Sequence, residues 1–297
     1  MKYKETTLQG WTEPLSDSEK ERVENTRMMI ADAIRNDDEL SKLDYQIFAQ
    51  GSYANNTNVR QNSDVDICVM LTSSFFSCYV SGMSGADFGF GKGGMTSQDF
   101  RDLVLHALKA KFGAQNVTLQ KKCIDIKANT YHVNADVIPS LQYRNYKAIN
   151  SNDKDKYVEG IKYFSLSGEE VINYPKSHIY NGKQKNNETN HKYKKLVRIF
   201  KHIREEMNTE GLIDEDKITS FLIECLVWNV PNQYILLDES WNNTVKNSIM
   251  YLLNAIRDGN VLKWCEVSGW ISLFEDRKWT ITDVENYLRR MYLFMEL

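Results

Sequence analysis

Three stretches of this 297-residue chain carry two aspartates separated by one residue: Asp64-Val65-Asp66, Asp153-Lys154-Asp155 and Asp214-Glu215-Asp216. Neighbouring carboxylates repel each other. A fold that gathers them is normally compensated by a divalent cation, and clustered carboxylate oxygens suit a hard ion such as Mg²⁺ that also takes substrate phosphates. On the order of one such pair is expected by chance in a chain of this length, so spacing alone does not choose among the three. Context does. The second and third pairs lie in polar stretches with no apolar run behind them, as solvated loops or helix starts do. Asp64 and Asp66 follow Gly51-Ser52 by about a dozen residues and run directly into Ile67-Cys68-Val69-Met70, which reads as a strand. Period-two alternation then aims both carboxylates from one face. Asp136, between Ala135 and Val137 in a strand expected to end at Pro139, is a third acid in an apolar setting, where a charge needs partners.

The elements that must position these acids follow from periodicity. Ser16 or Asp17 to Leu40 offers an N-cap, acidic residues in the first turn and apolar Val23, Met29, Ile30, Ala33 and Ile34, predicting one long scaffold helix. Tyr45 to Ala49 reads as a strand leading into Gly51-Ser52, and the polar run Tyr53 to Ser63 as a short helix or turn. Ser97 to Phe112 has helical spacing. Val117 to Gln120, Cys123 to Lys127 and Tyr131 to Pro139 read as further strands, for a sheet of four or five. Residues 73–96 collect six glycines beyond the Asp64 strand, a mobile insertion placed to act as a lid. Asn150 to Asn190 is polar and reads as the connection to a second half that is helical throughout: Tyr193–Met207, Ile218–Val230, Trp241–Ile256 and Val284–Met295, with Trp228, Trp241, Trp264, Trp270 and Trp279 supplying core bulk. The expected class is α+β, with residues 1–150 forming a mixed sheet with helices and residues 151–297 a helical lobe facing it across a cleft.

Several chemistries are excluded. Gly85 to Lys92 is one residue too long for a phosphate-binding P-loop and lacks a following Ser or Thr. The five cysteines, at 68, 78, 123, 225 and 265, show neither Cys-x-x-Cys nor zinc-ligand spacing, which fits a reducing cytosol. A net charge of −3 argues against a surface that is basic all over, so no stable nucleic-acid complex is expected. The N-terminus lacks an apolar signal core and no apolar run approaches a membrane span, pointing to a soluble cytoplasmic protein.

The helix around Lys192–Met207 buries Leu196, Ile199, Phe200, Ile203 and Met207, while Lys194, Arg198 and Lys201 recur at i, i+4 and i+7 as a basic stripe. Such a stripe is either a solvated face or, for Lys201 above all, a source of cations for a triphosphate. The next helix opens Lys217-Ile-Thr-Ser-Phe-Leu-Ile-Glu. Gly51-Ser52 with Asp64-x-Asp66 and Asp136 resembles the polymerase-β-like nucleotidyltransferases. Together with Leu196-Val-Arg-Ile-Phe-Lys201 and Thr219-Ser-Phe-Leu-Ile-Glu224, the chain from about Ser16 onward resembles the CD-NTases, relatives of cyclic GMP-AMP synthase in bacterial antiphage (CBASS) systems.

That resemblance implies a polymerase-β-like core plus a C-terminal helical lobe, and synthesis of a cyclic di- or trinucleotide second messenger from nucleoside triphosphates. It implies Asp64, Asp66 and Asp136 as catalytic residues and ligands of two Mg²⁺ ions, with Mn²⁺ as substitute. It implies Gln50, Gly51 and Ser52 at the donor triphosphate, Lys201 on its phosphates, Ser220 near phosphate or ribose, and Phe221 stacked on a base or else in the core. A separate effector would read the product. No zinc thumb of the animal relatives is present. A nucleotidyltransferase that tails RNA or modifies a protein or small molecule is the alternative.

Overall fold

The structure is a computed structural model that describes residues 2–14, 16–59 and 64–297. The chain divides into two compact units: one of residues 16–54 and 60–176, the other of 1–15, 55–59 and 177–297. The boundary therefore falls at 176/177 and not at 150/151, and the N-terminal helix α1 (Glu5–Gly10) belongs with the C-terminal helices.

The first unit begins with α2 (Asp17–Arg35), which Ser16 starts by capping the Glu19 amide while Glu19 returns the bond. It ends at Arg35, with a separate 3₁₀ turn at Leu40–Lys42. The strand β1 (Tyr45–Gln50) leads into the short helix α3 (Gly51–Asn55), and β2 (Val65–Cys78) follows. The Arg60–Ser63 part of the expected polar turn lies outside the described residues. The helix α4 (Ser97–Phe112), the hairpin β3 (Val117–Leu119) and β4 (Ile124–Ile126), and β5 (Ala135–Asn145) come next. The sheet then continues through β6 (Val158–Phe164) and β7 (Glu170–Asn173), two strands within the stretch expected to be a polar connection. Among the described residues the sheet has seven strands, ordered β1-β2-β5-β4-β3, with β6 and β7 extending from β5.

Alternation decides the two faces. Val65, Ile67, Val69, Leu71, Ala135 and Val137 face the main core beneath α2 and α4. Cys68, Met70, Ile138, Ile161 and Tyr163 form a smaller cluster on the other face. Strand β5 runs through Pro139 instead of ending there. Its β4 partners stop opposite Val137 and its β6 partners start opposite Leu141, so Pro139 lies where that edge has no ladder to supply with an N–H.

The glycine-rich insertion is not a lid over the acids. Phe88 is buried, with its ring centroid 4.5 Å from Tyr146 and 5.7 Å from Phe90, and Arg144 lies 3.6 Å over the Phe75 ring. These contacts pin it to the Cys78–Asn145 end of the β2–β5 ladder, whereas the acids are at the Asp66–Asp136 end. Along β5 that distance is about 30 Å at about 3.3 Å per residue.

The second unit packs α5 (Pro175–Glu188), α6 (Lys192–Thr209), α7 (Ser220–Trp228), α8 (Asn232–Leu236), α9 (Trp241–Arg257) and α10 (Ile281–Phe294) around one core. Trp241, Trp264 and Trp279 are buried in it, but Trp270 is 42% exposed. Within the stretch expected to be a polar connection, Lys183 and Lys185 lie on α5; Lys185 is buried, its ammonium donating to the Val230 carbonyl at 2.7 Å. No helix among the described residues is long and apolar enough to cross a membrane.

Phe88→Ala should cost about 3 kcal/mol in urea unfolding, as aromatic truncations in cores do, and expose residues 80–95 to limited proteolysis. Unchanged stability would mean the aromatic cluster does not hold the insertion.

Candidate active site

The parallel register of β2 and β5 sets Asp66 directly beside Asp136, on strands about 4.8 Å apart. The row extends in both directions: Gln50 on β1 opposes Asp66, and Asp125 on β4 opposes Asp136. Four polar side chains thus cross four strands on one face. Asp64 lies one residue before β2 and is exposed, on the opposite side of buried Val65 as alternation requires, and its charge reaches both Asp66 and Asp136.

The electrostatics are those of a site short of positive charge. Burial, then Asp136 and Asp64, push the Asp66 carboxyl up to about 7. Burial likewise raises Asp136, against a hydrogen bond from the Cys123 thiol at 3.2 Å that favours its ionised form. The Gln50 side-chain oxygen is buried without a hydrogen-bond partner among the described residues. Among the described residues no three metal-ligating side chains already form a cage. The donor set nevertheless fits a hard divalent cation: adjacent carboxylates, one half-neutralised by want of a counter-charge, and an orphaned amide oxygen in the same row.

Gly51 is shaped to this row. Its φ of +68° suits glycine, and a Cβ there would overlap the Asp66 carboxylate. Ser52 follows it in α3, half-buried.

On the helical unit, Ser220 opens α7 just after the Thr219 cap, and Phe221 is 37% exposed, its ring 6.0 Å from His178. Phe221 is therefore not a core side chain. Lys201 is not on a solvated stripe. It is buried with its ammonium 3.0 Å from Glu224 Oε2 and 3.3 Å from Thr57 Oγ1, so its charge is already matched. Arg198 is also buried, donating to the carbonyls of Thr12 and Asn56. Of the three basic positions only Lys194 is half-exposed.

The sequence reading gives Asp125, Cys123, Thr57, Glu224 and His178 no role in the site. Glu224 had a legible signal, as the lone acid in the apolar run Phe221 to Trp228. Asp125 alternates with Ile124 and Ile126, as a residue on the polar face of a strand does. Nothing local marked Cys123, Thr57 or His178.

The raised Asp66 carboxyl has a testable sign. Between about pH 4 and 7 the folded state keeps a proton that the unfolded state releases, so this group's contribution to metal-free stability declines as pH rises through that window. A cation that binds the ionised form offsets the loss. Mg²⁺ should raise the melting temperature more at pH 8 than at pH 5, and Asp66→Asn should erase that difference. Equal Mg²⁺ shifts at both pH values in the wild type would contradict the assignment.

Residues 30–203 match the nucleotidyltransferase domain family, and residues 180–296 match the cGAS/DncV-like nucleotidyltransferase C-terminal helical domain. The chain is 42% identical to the cyclic dipyrimidine nucleotide synthase CdnE of Cecembia lonarensis, over 99% of each chain. It is 35% identical to the cyclic GMP-AMP synthase CdnE03 of Staphylococcus schleiferi, over 97% of each. The solved structure of the Rhodothermus marinus CdnE c-UMP-AMP synthase with Apcpp and Upnpp is similar at a TM-score of 0.87 and 30% identity, over 99% of this chain and 97% of that one. Likeness of this extent, reaching across sheet and helices alike, makes the chain a nucleotidyltransferase of the CD-NTase family.

Proposed function

We propose that this enzyme joins nucleoside triphosphates into a cyclic dinucleotide second messenger, releasing pyrophosphate at each of two transfers. The reading is supported chiefly by the Asp66–Asp136 pair, two carboxylates held side by side with one raised to about 7. It is supported also by relatives named for dinucleotide products over nearly their whole length. In bacterial antiphage defence a separate effector would read that product.

Asp64, Asp66 and Asp136 would hold the divalent cations, two Mg²⁺ with Mn²⁺ as substitute. Bound there, these ions supply neutralisation of the charge that develops on the transferred phosphate and the pyrophosphate leaving group. The chain's own groups do the rest. Asp136, from the second strand, orients the attacking ribose hydroxyl and takes its proton. Gly51 and Ser52 bring backbone close to the donor phosphates, which the missing Cβ of Gly51 permits. Gln50 offers its unpartnered oxygen to the bound nucleotide or its cation. On α7, Ser220 contacts phosphate or ribose, and the exposed ring of Phe221 stacks on a base. We assign Lys201 to phosphate only through the field of its ion pair, because its ammonium is held by Glu224 and Thr57.

Incubation with the four nucleoside triphosphates and Mg²⁺, followed by phosphatase and mass spectrometry, should yield a phosphatase-resistant cyclic dinucleotide. Asp66→Asn should abolish it with the fold retained. Gly51→Ala should reduce turnover by on the order of a hundredfold, since it displaces the Asp66 carboxylate. Turnover only when an RNA or protein acceptor is supplied would overturn the proposal in favour of a tailing or modifying nucleotidyltransferase.

A further inference from the structure

Between Ser52 and Asp64 the chain leaves the sheet unit: residues 55–59 belong to the helical unit. Three side chains from different parts of that unit, Glu224, Lys201 and Arg198, meet on this short segment, and a fourth, His178, holds Glu224 from the other side. The Thr57 hydroxyl donates to Glu224 Oε2 at 2.8 Å, and Lys201 donates to the same oxygen at 3.0 Å. The other Glu224 oxygen lies 3.0 Å from His178 Nε2. One residue earlier, Arg198 donates to the Asn56 carbonyl. Thr57 has no solvent exposure, and Glu224 and Lys201 are 4% and 2% exposed.

A buried ion pair is rarely the most stabilising way to fill a core, and apolar side chains of similar volume often do as well. Burial by itself would drive the Glu224 carboxyl up, but Lys201, His178 and Thr57 together hold it well below the usual range. The arrangement does what an apolar core could not: it fixes one hydroxyl, and with it one segment, at a defined place. The segment so fixed carries an anomaly. Asn58 is 5% exposed, and neither its amide nitrogen nor its oxygen has a hydrogen-bond partner among the described residues. Buried polar groups are normally satisfied, and an unsatisfied one calls for a reason.

We infer that Glu224 is a positioning residue. Through Lys201 and Thr57 it clamps residues 55–59, which follow Gly51-Ser52 in the chain, and the clamped residues hold the Asn58 carboxamide ready for a polar group of a bound nucleoside triphosphate. The inference rests on the nucleotidyl-transfer reading of the acids.

The test uses the full-length enzyme with nucleoside triphosphates and Mg²⁺. Thr57→Val keeps the Lys201–Glu224 pair and severs only the tie. It should lower kcat by on the order of tenfold or more, with a near wild-type melt and faster amide hydrogen exchange confined to residues 55–59. Thr57→Ser should restore all three. Asn58→Ala should raise KM about tenfold, the worth of one good hydrogen bond, without lowering the melt. Glu224→Gln should reproduce the Thr57→Val kinetics, and if it does not fold, the Thr57 pair decides. Wild-type kinetics in Thr57→Val, or a loss that Thr57→Ser fails to restore, overturns the clamp. A wild-type KM in Asn58→Ala overturns the waiting amide. Asp66→Asn run alongside separates the failures: its retained turnover would sink the reading of the acids, whereas an inactive Asp66→Asn beside a normal Thr57→Val sinks the clamp alone.

Discussion

Setting two carboxylates side by side on adjacent parallel strands, with their backs to an apolar core, costs free energy in any protein that does it without a counter-charge. Here the parallel ladder of β2 and β5 enforces it: once Ile67 and Val137 must both enter the core under α2 and α4, Asp66 and Asp136 have no choice of face. Slipping one strand by a residue would relieve the repulsion only by exposing the apolar set. The hydrophobic register therefore stores the electrostatic strain, which a divalent cation held by the pair would release.

The surrounding features keep that strain in place. Gly51, at a φ of +68°, leaves room for the Asp66 carboxylate where another residue would displace it. Pro139 sits in the short stretch of β5 between its β4 and β6 partners, where a missing N–H breaks no ladder on that edge, and the strand carrying Asp136 continues to Asn145. The glycine-rich insertion is sequestered by its own aromatic cluster at the far end of the same ladder. The acids can thus be close together without the sheet being loose.

How far the sequence could be read depended on whether the signal was local. Asp64-x-Asp66, Gly51-Ser52 and the helices at 97–112 and 192–209 were legible because cap, turn and period lie within a few residues. The β6 and β7 strands were missed because Val158, Ile161 and Tyr163 are diluted by lysine and glutamate, whose own stems and pairings cover the exposed face. The insertion was misjudged for a related reason: six glycines suggest mobility, whereas Phe88 and Phe90 find their partners Tyr146 and Phe75 only in three dimensions. Lys201 shows the limit most clearly. Its spacing on α6 was legible, but the glutamate that matches its charge comes from another helix and the hydroxyl beside it from a segment more than a hundred residues earlier.

The central claim is that Asp66 and Asp136 share a divalent cation that carries the reaction. It is tested most directly by crystals grown with Mn²⁺ and a non-hydrolysable nucleoside triphosphate, read by anomalous scattering. The account predicts a peak between the two aspartates, within about 2.3 Å of an oxygen of each, as hard-cation coordination requires. A bound triphosphate with no metal between Asp66 and Asp136 would contradict it.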